Sequence, residues 1–264
     1  MYRNQSRTRL LASAAILSAL MLGGCQTAQI ANTTGSVAQS TPRGEVDWRH
    51  EADSWGERYR KNPRDPEAGV RFAQALRSTG QRTQAVAVLE QASIHNPRNT
   101  VVLGAYGRAL ADTGAFAQAL DVLKRAHSPD QPDWRILSVQ GAVLDQMGRH
   151  EEARRHYMSA LRIVPDEPSV MSNLGLSYAL SKNLNKAEDT LRRASTYSSR
   201  EPKVRQNLAL VVGLQGRFKE AEEIARADLS PEEAAANLDY LRHMLAAEKG
   251  QNGKRMLRQA ANNS

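Results

Sequence analysis

A period of 34 residues runs through most of this chain and restricts the folds that it can adopt. Two rows of small residues and one row of large apolar residues recur at this spacing. The three rows are Ala73, Gly107, Gly141, Gly175 and Ala209; Leu76, Leu110, Leu144, Tyr178 and Val212; and Ala85, Ala119, Ala153, Ala187 and Ala221. Self-similarity at one fixed period of this length is the sequence signature of stacked structural repeats.

The spacing within each repeat predicts two packed helices. Gly175 and Tyr178 are three residues apart and share one helical face, and Ala153, Tyr157 and Ala160 do the same in a second helix. Small side chains allow two antiparallel helices to approach closely, while the large ones fill the space beside them.

A glycine lies between the two predicted helices in four of the repeats. The four are Gly80, Gly114, Gly148 and Gly216. A helix that ends in the left-handed conformation favours glycine there. The fourth repeat has Lys182-Asn183 instead, and asparagine is the residue expected to tolerate that conformation.

The 34-residue pattern resembles the tetratricopeptide repeat. The predicted fold is all-α, an α-solenoid in which helix-turn-helix units form a right-handed superhelix with a C-terminal capping helix. The predicted segments are an N-terminal capping helix at 47–65, repeats at 66–99, 100–133, 134–167, 168–201 and 202–235, a capping helix at 231–248 and a polar tail at 249–264. Ser230-Pro231-Glu232-Glu233 is a capping box, which predicts the start of the last helix.

The N-terminal residues have the features of an export signal. Arg3, Arg7 and Arg9 precede an apolar stretch, 10–22, that is shorter than the ~20 residues of a membrane-spanning helix. The stretch ends in Leu22-Gly23-Gly24-Cys25, which resembles the bacterial lipobox, and Cys25 is the only cysteine. We therefore expect a lipoprotein signal peptide at 1–24 and a lipid on Cys25; an ordinary buried cysteine or a plain signal anchor are the alternatives.

The segment after the cysteine predicts where the protein is held. Residues 25–46 lack apolar periodicity and are expected to form a flexible tether, with a root-mean-square reach of about 25 Å. Gln26, as a residue other than aspartate, resembles the outer-membrane sorting rule of enterobacterial-type lipoproteins. The expected location is the periplasmic face of the bacterial outer membrane.

The charge balance points to a protein or lipid partner rather than to nucleic acid. The chain has 36 basic and 28 acidic residues, a formal charge of +8. Because no arginine-rich stripe with interleaved aromatic residues is present, we expect no nucleic-acid binding. Mild attraction to anionic lipid or to an acidic partner accounts for the charge.

The sequence has no recognisable catalytic constellation, so we predict that the protein is not an enzyme and has no cofactor or metal. His150 and His156 are six residues apart, which is about 240° around a helix, and so they point in different directions. One rival interpretation remains open, in which the protein is a metal hydrolase that uses His150 or His156 in its groove.

The resemblance to tetratricopeptide repeats implies a protein-binding groove lined by the first helix of each repeat. Carrying the groove positions over gives a charged first half, which includes Arg77, and a more apolar second half. The candidate partner-binding residues are Arg108, Arg135, Asn173, Leu176, Leu180, Lys203, Asn207, Leu210 and Leu214. Alternatively, the leucines contact the neighbouring repeat or the C-terminal capping helix.

Three segments resemble the TadD family of Flp (tight-adherence) pilus assembly lipoproteins. These are residues 204–218, the run Gly141 to Asp145 with Gly148-Arg149, and the helix from Ala234 to Leu245. The resemblance implies a lipid-anchored, non-enzymatic assembly factor that binds the outer-membrane secretin or another pilus component. The alternative is a general envelope lipoprotein that scaffolds outer-membrane protein insertion or peptidoglycan enzymes.

Overall fold

The computed structural model describes residues 45–127, 130–197 and 201–261. The predicted signal peptide, Cys25 and all but the end of the predicted tether lie outside these residues. The described part of the chain folds into helices and has no β-strand, which confirms the predicted all-α class.

The helices of the repeats come in pairs along the chain. Their first helices are α2 (Pro66–Ser78), α4 (Thr100–Asp112), α6 (Trp134–Gln146), α8 (Pro168–Leu180) and α10 (Pro202–Leu214). Their second helices are α3 (Arg82–His95), α5 (Phe116–Arg125), α7 (His150–Ile163), α9 (Leu184–Tyr197) and α11 (Phe218–Ala225). The flanking helices are α1 (Glu45–Lys61) and α12 (Pro231–Ala261). Each first helix begins 34 residues after the previous one, as the sequence period requires.

Local signals in the sequence set the beginnings of the first helices. The side chains of Asp65, Asn99 and Asp133 accept hydrogen bonds from backbone N–H groups in the first turns of α2, α4 and α6. Such caps satisfy donors that have no partner inside the helix. Proline at the first helical position, as in α8, starts a helix without loss of a backbone hydrogen bond.

The turns between paired helices correct one prediction. The predicted glycines have a left-handed backbone, with φ near +80° at Gly80 and +73° at Gly148. In the fourth repeat the left-handed residue is Lys182, with φ of +63°, and not Asn183 as predicted. Lys182 is the residue in phase with the glycines, so the geometry of the turn selects the position. The Asn183 side chain instead accepts a hydrogen bond from the Lys186 N–H at 3.4 Å.

The periodic rows form the core of the helix pairs. Ala85, Ala119, Ala153, Ala187 and Ala221 are all fully buried. In the second repeat the close packing requires glycine in the first small row, because a Cβ atom on Gly107 would lie 2.4 Å from the Leu123 Cγ atom. Burial of the apolar rows supplies most of the driving force for folding.

The described residues divide into two compact units, 45–149 and 150–261. In the first, α1 packs against α2, with the Tyr59 and Phe72 ring centroids 5.8 Å apart. In the second, α12 packs against α10 and α11 through Leu238 and Leu241.

The last helix, α12, begins at a capping box and continues to Ala261. The Ser230 N–H donates to the Glu233 carboxylate at 3.0 Å, and the Glu233 N–H donates to the Ser230 Oγ at 3.2 Å, which confirms the capping box. The helix reaches Ala261, so most of the predicted polar tail is helical. Residues 254–261 are rich in strong helix formers, which offsets the effect of Gly250 and Gly253. None of the described helices combines the length and the apolar character needed to cross a bilayer.

Candidate functional site

The predicted groove residues fall into two sets. Arg108 and Arg135 belong to the unit 45–149, and the other seven belong to the unit 150–261. Each set has its own surroundings.

Three arginines from the first helices of successive repeats lie near one another in the unit 45–149. They are Arg77 on α2, Arg108 on α4 and Arg135 on α6, and α4 contacts both of the other helices. Arg77 and Arg108 are partly buried, while Arg135 is exposed and its guanidinium lies 4.4 Å from the centroid of the Trp134 ring. We call these three residues the arginine cluster.

Two aspartates close to the arginine cluster are already engaged. Asp112 accepts a hydrogen bond from the Arg77 Nε at 2.5 Å. Asp133 accepts one from the Arg135 backbone N–H at 2.7 Å and so caps α6. Both carboxylates therefore accept hydrogen bonds from groups other than Arg108.

Arg108 lies in the centre of the arginine cluster with an unsatisfied group. Its Nε is buried and has no hydrogen-bond partner among the described residues. Burial lowers the pKa of Arg108, and the charge of Arg77 lowers it further. Asp133 opposes this shift, Arg135 adds to it, and Asp112 opposes it as well. Because arginine stays protonated in proteins, the site keeps a poorly compensated positive charge.

The polar candidates of the unit 150–261 differ in exposure. Lys203 is exposed at the start of α10. Asn207 is only 6% exposed, and its side-chain amide donates to the Ser172 Oγ at 2.8 Å, which joins the fourth and fifth repeats. Asn173 is partly buried and already interacts within the protein. Lys203 is thus the most accessible of these three.

The leucines of the same unit contribute to packing. Leu176 is 8% exposed, and Leu180 is partly buried. Leu210 and Leu214 pack against the apolar cluster that includes Leu238 and Leu241 of α12, which is the alternative that the sequence left open for them. A role for these leucines in partner binding stays a prediction.

A polar cleft of about 290 Å³ lies in the unit 150–261, and sequence reasoning did not predict it. Its buried Arg154 stacks over Tyr178 at 5.1 Å, donates to the Ser181 Oγ at 2.9 Å and pairs with Glu151. The charge of Arg154 is therefore satisfied within the protein, and its contacts join the third and fourth repeats. The only signal in the sequence was an arginine beside the buried Ala153.

The histidines bear on the rival enzymatic interpretation. Within the described ranges, no three His, Cys, Asp or Glu side chains converge as a metal site would require. His150 and His156 both interact with other groups of the protein.

Comparison with sequence families identifies the repeats. A family model described as tetratricopeptide repeat matches residues 76–142, and a second with the same description matches residues 139–201. No curated protein is significantly similar in sequence to this chain.

Comparison with solved structures gives the same fold. The crystal structure of PilW, described as a widely conserved type IV pilus biogenesis factor, is 15% identical with a TM-score of 0.62, over 72% of this chain and 91% of PilW. The structure of pilF from Pseudomonas aeruginosa is 18% identical with a TM-score of 0.54, over the same shares of the two chains. A thermophilic tetratricopeptide protein of Thermus thermophilus is 21% identical with a TM-score of 0.57, over 63% of this chain and 91% of that protein. At these identities the likeness establishes the fold alone.

Proposed function

Because residues 76–201 are tetratricopeptide repeats, a class of protein-interaction scaffold, we propose that this chain is a lipid-anchored periplasmic assembly factor of the tight-adherence pilus. Its partner is a segment of the outer-membrane secretin or of another pilus component. The protein acts by binding and positioning that partner and performs no chemistry of its own.

The observation that supports the scaffold function is that different residues of each repeat are used for packing and for the surface. Most residues of the small and large apolar rows are buried between the paired helices. Side chains at the groove positions of the first helices, among them Val101, Arg135 and Lys203, remain exposed. Folding does not bury these exposed side chains, so they are available to a partner.

The pilus assignment has two sources of support. Residues 204–218 and the helix that follows resemble the TadD family of pilus assembly lipoproteins. PilW, a type IV pilus biogenesis factor, has the same fold at 15% identity. The alternative is a general envelope scaffold for outer-membrane protein insertion or for peptidoglycan enzymes, and the partner that copurifies distinguishes the two functions.

Lipid anchoring is tested by replacing the single cysteine. We expect Cys25→Ser to abolish incorporation of radiolabelled palmitate and to remove the protein from the outer-membrane fraction, because the serine hydroxyl does not replace the thiol that accepts the lipid. Gln26→Asn, at the neighbouring position, is the matched control and should behave as wild type. Unchanged labelling and outer-membrane fractionation of the Cys25→Ser protein would reject the anchor.

The partner is tested by purification of the tagged full-length protein from detergent extracts of its own host. Copurification of the pilus secretin or of another pilus component is the expected result. If only outer-membrane insertion factors or peptidoglycan enzymes copurify, the general envelope scaffold is correct and the pilus assignment is wrong.

A further inference from the structure

The arginine cluster has a net positive charge that the fold does not neutralise. Arg77, Arg108 and Arg135 contribute three charges, and Asp112 and Asp133 contribute two opposite ones. Asp112 is hydrogen-bonded to Arg77, and Asp133 caps α6. The Nε of Arg108 is buried and has no hydrogen-bond partner in the described part of the chain. A buried donor without a hydrogen-bond partner is costly to a folded protein, and a nearby anionic ligand would reduce the excess positive charge around it.

An exposed apolar side chain lies beside the arginine cluster. Val101 is seven residues before Arg108 on α4, which places the two only about 20° apart around the helix axis and roughly 10 Å apart along it. Val101 is 66% exposed, the largest exposed fraction among the large hydrophobic residues that the structure describes. The same stripe of α4 thus offers an apolar contact and a cation.

We propose that the arginine cluster and Val101 form a binding site for an acidic segment of a protein partner, with Arg108 contacting a carboxylate and Val101 contacting an apolar side chain. This inference rests on the proposed function only in taking the ligand to be part of a protein. It adds the chemistry of the partner: a segment that contains aspartate or glutamate next to an apolar residue.

The geometry favours a peptide over a lipid surface. A guanidinium has a planar fork of donors that matches a carboxylate, and such charge-assisted bonds are among the strongest hydrogen bonds in proteins. Phosphate groups fit the same fork, but Arg108 is partly buried on a helix that contacts both α2 and α6, which favours a thin ligand such as an extended peptide over the flat surface of a bilayer.

The test uses the full chain in detergent and a fluorescein-labelled oligoglutamate peptide, with oligoglutamine as the neutral probe. We expect anisotropy to show binding of oligoglutamate only, weakened about tenfold by Arg108→Gln because a charge-assisted hydrogen bond is lost. Arg125→Gln is the matched control, since Arg125 is an exposed arginine on α5 and its loss removes the same formal charge. Arg108→Lys, which keeps the charge but loses the fork, should lie between wild type and Arg108→Gln.

Two results would overturn the site. One is equal affinity of Arg108→Gln and Arg125→Gln for oligoglutamate, with circular dichroism showing both variants folded. The other is no peptide binding together with Arg108-dependent binding of phosphatidylglycerol vesicles, which would assign the arginine cluster to lipid. Failure of the proposed function gives a different result. If the wild-type protein binds oligoglutamate but copurifies with no pilus protein, the binding site is supported and the pilus assignment is wrong.

Discussion

At the scale of single residues, two neighbours on α4 serve opposite requirements. Gly107 lies against the partner helix, where there is no room for a Cβ atom, whereas Arg108 is partly buried close to the charges of Arg77 and Arg135 on adjacent repeats. In the second repeat a glycine faces the large Leu123, whereas in the fifth repeat two alanines occupy the corresponding positions. There Ala209 stands in the glycine row, and its cluster includes the small Ala225 in place of a leucine.

The substitution Gly107→Ala tests the packing argument. Alanine gains about 1 kcal/mol in helix propensity over glycine, whereas overpacking of a core costs typically 1–3 kcal/mol. A Cβ atom would lie 2.4 Å from Leu123 Cγ and 2.6 Å from its Cδ2, so the clash should dominate. We expect the free energy of unfolding in urea to fall by about 1–2 kcal/mol. Gly69→Ala, whose closest contact is 3.1 Å, is the graded control and should cost less; equal or higher stability of Gly107→Ala would contradict the argument.

At the scale of elements, α12 closes the unit 150–261. Leu238 and Leu241 cover the fifth repeat, and the side chain of Leu241 packs where Gly213 leaves space. Solenoids need a terminal element of this kind because the last repeat otherwise exposes its apolar face. The long polar remainder of the helix follows this capping segment toward the C-terminus.

Truncation of Leu241 measures the contribution of this cap. Leu241 is 2% exposed, so Leu241→Ala should lower the free energy of unfolding by about 2–5 kcal/mol, as large-to-small core substitutions do. The neighbouring Tyr240 is 49% exposed, and Tyr240→Ala should have a much smaller effect. Urea unfolding followed by circular dichroism makes the comparison, and similar losses for the two variants would show that α12 does not cap the array.

The elements also show what the sequence could predict. The starts of the repeats were predictable because each depends on local signals, such as Asp65 before Pro66, together with the fixed period. The left-handed Lys182 was not predicted, because the phase of the turn within the repeat outweighed the preference of asparagine for that conformation. For the polar tail the sequence left a disordered segment and a frayed helix as alternatives, and α12 extends through it to Ala261. Burial of Arg108 and Asn207 depends on distances between repeats, and a single sequence does not contain those distances.

At the scale of the whole molecule, the charge affects both partner binding and stability. The formal charge of +8, which falls to about +5 if residues 1–24 with their three arginines are removed, favours acidic partners, and protonation of carboxylates in acid would increase self-repulsion. Ion pairs between successive repeats counter this. Arg77 pairs with Asp112 across the first two repeats, and Glu188 pairs with Arg217 across the last two, at 2.7 Å. Stability of the array should therefore depend on pH through the carboxylates that join repeats.

Glu188 is the carboxylate through which this dependence is best tested. Burial alone would raise its pKa, but hydrogen bonds from Arg192, Gln215 and Arg217 outweigh burial and hold the pKa below the ordinary value of 4.5. A carboxyl group whose pKa is lower in the folded state stabilises that state above its unfolded pKa, and the stabilisation disappears as the pH falls through the folded pKa. We therefore expect the urea concentration at the unfolding midpoint of the wild-type protein to decrease as the pH is lowered from 7 to about 3.

The variant Glu188→Gln should lose part of this pH dependence, because a neutral amide cannot be protonated over that range. Glu223→Gln removes an equal charge from an exposed position of α11 and should leave the dependence as in wild type. The comparison separates the local ion pairs from general self-repulsion, which both variants change by the same formal charge. An identical fall of the urea midpoint in the two variants would mean that general charge, and not the Glu188 network between the fourth and fifth repeats, sets the acid stability of the protein.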